Sequence, residues 1–127
     1  MKNASSITLI ATVLCTTAFP AIGEAIRLVC DFASFSTPKD GLRSGEFGFL
    51  ITWDNVTNDA FMTGNNGVAP LLVVPGDGLV TYIERVPSGT LNTTTVLSDG
   101  HAVHSRHTVM GGELLIPSQY YGICAPD

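Results

Sequence analysis

The stretch Glu46-Phe47-Gly48-Phe49-Leu50-Ile51-Thr52-Trp53-Asp54 decides the fold class. Its large apolar residues recur at every second position, so Phe47, Phe49, Ile51 and Trp53 share one face of an extended strand, opposite Glu46, Thr52 and Asp54. Helical geometry would scatter the same four side chains around the axis. Upstream, Ile26, Leu28, Cys30 and Phe32 alternate in the same way against Arg27 and Asp31, which points Cys30 toward a core.

Outward from this strand, turn-forming pairs recur along the chain: Asp40-Gly41, Ser44-Gly45, Asp54-Asn55, Gly64-Asn65-Asn66-Gly67, Pro75-Gly76-Asp77-Gly78, Pro87-Ser88-Gly89, Asp99-Gly100 and Gly111-Gly112. That rhythm, with no helical periodicity between the turns, predicts an all-β fold: a small antiparallel meander forming a barrel or sandwich of about seven to eight strands. Residues 33–45 read as a loop. Ala69–Val74 is an apolar run broken by Pro70 and reads as an edge strand.

The first residues tell a separate story. Lys2 precedes an uncharged, mostly apolar run from Ile7 to Phe19, too short for a membrane span of about 20 residues but suited to a signal sequence. Gly23 and Ala25 place small residues three and one positions before a cut between Ala25 and Ile26. Residues 1–25 are therefore expected to be a cleavable secretory signal and residues 26–127 a single β domain, secreted or periplasmic. Lipid attachment at Cys15 is disfavoured by Leu14, which stands where lipoprotein processing needs a small side chain. No second long apolar run follows, so no membrane insertion is expected after signal removal.

Loss of the leader removes Lys2, Glu24 and Cys15, leaving a net charge of −5 and one pair of cysteines, Cys30 and Cys124. An acidic surface repels phosphate backbones, which argues against a nucleic-acid partner. In an oxidising compartment the two cysteines are expected to form a disulfide that ties the chain ends together.

The Asp99-Gly100 and Gly111-Gly112 pairs are hairpin signals, and counting outward from them as two-residue turns gives a register. Leu97 then pairs with Ala102, Val96 with Val103, Val109 with Leu114 and His107 with Ile116. On that register Val103, Ser105, His107 and Val109 face the core, while His104 and Arg106 share the opposite face. Every histidine of the chain lies in the segment His101 to His107. On a strand, a spacing of three places neighbouring histidines on opposite faces, and His101 and His107, which share one, stand roughly 20 Å apart, so no two of them make a metal pair by themselves, and no metal or other cofactor is expected. Ser105 and His107 lack a nucleophile elbow and an oriented carboxylate, so no catalytic residue is assigned.

Four residues stand out for ligand or partner binding. Arg106, beside His104, offers a planar fork for a carboxylate or phosphate. Tyr120 and Tyr121 precede Cys124, and alternation turns one inward and the other toward a partner. Asn55-Val56-Thr57 and Asn92-Thr93-Thr94 match the glycosylation sequon.

The combination of leader, short antiparallel strands and an end-to-end disulfide resembles that of small periplasmic binding or inhibitor barrels such as the bacterial lysozyme inhibitors. The likeness is architectural and carries no residue over. The expected function is that of a non-enzymatic exported binding module, inhibitor-like in kind, for a protein or small ligand outside the cytoplasm. A metal- or ligand-dependent enzyme using the His101 to His107 segment would instead bring His104, Arg106 and His107 together with carboxylates in a concave pocket. A structural component of an envelope or secreted assembly would show an exposed apolar patch or an unpaired strand edge.

Overall fold

The computed structural model describes residues 25–127. The expected leader, with Cys15, lies outside the described residues except for Ala25, the first residue of the first strand. Eight strands follow: β1 (Ala25–Thr37), β2 (Gly41–Asp54), β3 (Ala60–Gly64), β4 (Gly67–Gly76), β5 (Leu79–Arg85), β6 (Leu91–Leu97), β7 (His101–Met110) and β8 (Leu114–Pro126). Each pairs antiparallel with the next, and β8 returns to pair with β1, closing a barrel. Closure removes the sheet edges that an open meander would leave to solvent. An eight-stranded barrel is narrow enough for its interior to be filled by side chains.

The alternation read from the sequence sets that interior. Leu28, Cys30 and Phe32 from β1 meet Phe47, Phe49, Ile51 and Trp53 from β2, with Ala60, Leu71, Tyr82, Val96 and Ala102 completing the packed centre. Removing a side chain such as Ile51 fully from water stabilises the fold by about 1.5–3 kcal/mol. Cys30 and Cys124 are direct cross-strand partners in the same interior, bonded at 2.03 Å with Cα atoms 4.0 Å apart. The disulfide thus staples the one ladder, β1 to β8, that no hairpin turn brings together.

Residues 33–45 are not a loop. β1 continues to Thr37 and β2 starts at Gly41, and Thr37 pairs with Gly41 across a tight turn. What hid the strand is a bulge between Phe32 and Ser34, which breaks the alternation. Nor is Ala69–Val74 an edge. β4 pairs with β3 and β5, and the β4–β5 ladder starts at Leu71, one residue past Pro70, so Pro70 withholds no donor from it.

The register of the C-terminal strands is one residue from the two-residue count. The β6–β7 loop has three residues, Ser98-Asp99-Gly100, with the Gly100 amide donating to the Leu97 carbonyl and Gly100 left-handed at φ 95°. Val96 therefore pairs with Ala102 and Thr94 with His104. The loop Gly111-Gly112-Glu113 repeats the shift, pairing Met110 with Leu114 and His107 with Pro117. Because strand faces alternate, the one-residue shift inverts β7, while Val96 and Ile116 keep the inner face. His104 and Arg106 look into the barrel, whereas Val103, His107 and Val109 face solvent.

Candidate functional site

Strand register builds the site in two interior rows. Tyr82, Thr94, His104 and Tyr120 are successive cross-strand partners from β5 to β8. One step nearer the barrel mouth, Glu84 pairs with Asn92 and Arg106 with Ser118. Tyr82, Thr94 and His104 of the first row are buried and Tyr120 is half-buried, while the second row borders water.

His104 is 1% exposed and Thr94 fully buried. They satisfy one another through a 2.7 Å hydrogen bond between Thr94 Oγ1 and His104 Nδ1. The imidazole is surrounded by the rings of Phe32, Phe47, Phe49 and Tyr120, with centroids 5.1–6.0 Å away. Burial, and then the positive charge of Arg106, push its pKa down to about 4. The ring is neutral at ordinary pH.

This has a consequence for acid stability. The unfolded chain takes up a proton on this imidazole below about pH 6.5, while the folded chain does so only near pH 4. The His104 contribution is therefore complete above pH 6.5 and is lost progressively as pH falls to 4, a total of roughly 3 kcal/mol. Urea denaturation at pH 7 and at pH 4.5 should show this loss in the native protein and a much smaller one in His104→Gln.

Arg106 lies above the buried row. Its guanidinium carbon is 5.3 Å from the Phe47 ring centroid and 5.7 Å from that of Tyr120. Such stacking fixes a cation in place and is worth about 0.5–2 kcal/mol per ring. Among the described residues the ion pairs are Arg27 with Asp127, Arg43 with Asp40 and His101 with Asp99, so no carboxylate lies within 4.0 Å of Arg106. The guanidinium borders a cavity of about 300 Å³ at the barrel mouth, shared with Glu84, Asn92 and the turn residues Asn65 and Asn66. Glu84 accepts a 2.9 Å hydrogen bond from Asn92 Nδ2.

Three of the four residues singled out from sequence thus converge: His104, Arg106 and Tyr120. Tyr121 does not join them. It faces outward, 2.9 Å from the Ser36 hydroxyl and donating to Gln119 Oε1 at 3.3 Å. Ser105 and His107 belong to the outer face of β7, and no hydrogen bond joins them. Among the described residues no group of three or more His, Cys, Asp or Glu is placed to hold a metal ion. Asn55 lies exposed in the β2–β3 turn, whereas the Asn92 amide is engaged inside the mouth.

Comparison with known proteins finds no matching family model, no matching curated protein and no matching solved structure. The site is therefore read from its own chemistry.

Sequence reasoning missed Glu84, Asn92 and Phe47 as members of the site. A signal was present: Glu84 continues the inward alternation Val80, Tyr82, and Asn92 continues Thr94, Val96. Outside the barrel, the β7–β8 hairpin runs past the last β6 pair, and Val109, Met110, Leu114 and Leu115 are exposed there. No helix among the described residues is long and apolar enough to cross a membrane.

Proposed function

We propose that this chain is an exported binding module that takes a small carboxylate at the Arg106 mouth. The observation that carries the reading is a guanidinium held on two aromatic rings, facing a cavity, with no carboxylate among the described residues within 4.0 Å. An arginine fork without an anion is complementary to a carboxylate or a phosphate. Glu84 in the same cavity, on a chain of net charge −5, opposes a second negative charge and so favours a monoanion. The free lone pairs of Glu84 suit a hydroxyl or ammonium donor, which points to small hydroxy- or amino-carboxylates.

Glu84 is also the observation that favours the enzyme reading, since its carboxylate lines the same cavity as Arg106 and His104. Against that reading, His107 faces away, and His104 spends Nδ1 on Thr94 inside an aromatic shell. The group supplies recognition without a free general base beside a nucleophile. The intrachain disulfide fits an oxidising compartment, which supports export.

Calorimetric titration with glycolate, lactate and free amino acids, each beside its uncharged amide, tests the reading. The acids should bind and the amides should not. Arg106→Gln should weaken binding by about ten- to a hundredfold, the loss of one charge-assisted contact, with Arg106→Lys between the two. Equal binding of acids and amides, or an unchanged Arg106→Gln, would contradict it.

A further inference from the structure

The opposite end of the barrel, where β1 begins and β8 ends, holds a larger space. A cavity of about 620 Å³ is walled by Leu28, Trp53, Leu79, Val80, Tyr82 and Val96. It is within the usual size of small-molecule sites, roughly 300–1,000 Å³. Glycines 76, 78 and 100 border it in place of side chains, so the turns at this end leave the interior unplugged.

Two side chains give the cavity its chemistry. Trp53 donates its indole N–H to Asn58 Oδ1 at 3.0 Å, and its ring stands edge-on to Tyr82 at 6.1 Å between centroids. With its polar atom engaged by the turn, the indole presents only apolar surface. Tyr82 is 2% exposed and lines the cavity; among the described residues no sealed side-chain polar atom lacks a partner, so its hydroxyl, which makes no side-chain hydrogen bond, stays accessible from the cavity. Burial raises the Tyr82 pKa, so the phenol keeps its proton.

The charge of the rim narrows the ligand further. Among the described lining residues there is no Lys, Arg or His, while Asp99 is present. Hydrogen bonds from His101 hold the Asp99 carboxyl below its ordinary value, so the rim is anionic. A ligand carboxylate would enter an apolar, negatively biased space with no cation to meet it.

We propose that this cavity is a second binding site, distinct from the Arg106 mouth, for a neutral and largely apolar small molecule carrying one hydrogen-bonding group that meets the Tyr82 hydroxyl. The apolar walls supply the affinity and the phenol sets the orientation.

Trp53 is the chain's only tryptophan, so its indole N–H gives one cross-peak in a nitrogen–proton correlation spectrum. Titrating the oxidised protein with 1-naphthol should shift that peak saturably, one molecule per chain. The anion 1-naphthoate should bind at least about tenfold more weakly. Tyr82→Phe should weaken 1-naphthol by about five- to tenfold, the value of one hydrogen bond, while Arg106→Gln leaves it unchanged. Absence of a saturable shift, equal affinity for naphthol and naphthoate, or wild-type affinity in Tyr82→Phe would overturn the proposal. Loss of binding in Arg106→Gln would also overturn it, by placing naphthol in the other mouth.

Discussion

Replacing Cys30 and Cys124 together by alanine is expected to lower the unfolding free energy by roughly 2–5 kcal/mol, with the upper end favoured by the topology. Seven of the eight ladders join consecutive strands through turns, so their partners are close in the unfolded chain. The β1–β8 ladder has no such help. Its disulfide spans 94 residues of sequence, and closing a loop of about a hundred residues removes up to about 4.7 kcal/mol of chain entropy from the unfolded state. Alanine is the right replacement because serine would bury two hydroxyls among apolar neighbours. Urea unfolding of the oxidised protein and the double variant should show the difference as a lower midpoint. Equal midpoints would mean that the ladder closes without its staple.

Gly122→Ala should cost nearly as much, on the order of 4 kcal/mol. Gly122 pairs with Phe32 at the bulge that ends before Ser34. A Cβ there would collide with the Asp31 carbonyl oxygen and lie 2.7 Å from the Phe32 Cα. Both are backbone atoms, so no rotamer change relieves the overlap and the seam itself must open. Gly64→Ala is the matched control, since its nearest neighbour would be the Phe49 Cβ at an ordinary 3.8 Å, and it should stay within about 1 kcal/mol. A Gly122→Ala protein with the native urea midpoint would show that β1 and β8 do not approach this closely.

The sequence made the N-terminal half of the barrel legible where local alternation is unbroken. Phe47, Phe49, Ile51 and Trp53 point inward as their spacing requires, and Cys30 sits opposite Cys124. The alternation fails after Phe32 because the bulge changes which residues face inward, so that Phe35 stacks on Tyr120 at 5.6 Å. A stretch rich in Ser and Thr then reads as loop although it is strand.

The site was half legible. Arg106, His104 and Tyr120 stood out as residues, but their face was inverted because Asp99-Gly100 is an equally good signal whether or not Ser98 joins the turn. Polarity reinforced the error. A histidine and an arginine look like solvent-facing residues until Thr94, Phe47 and Tyr120 are in place to bond or stack on them. Those partners come from other strands, and only the correct register brings them together.

Everything proposed for the Arg106 mouth requires the His104 and Arg106 face to look into the barrel, and an NMR titration of the three imidazole rings tests this most directly. One ring, identified by its absence from His104→Gln spectra, should remain neutral until about pH 4. A His104 ring that titrates at the ordinary value near 6.5 would place it in water, restore the two-residue turns and turn Arg106 outward.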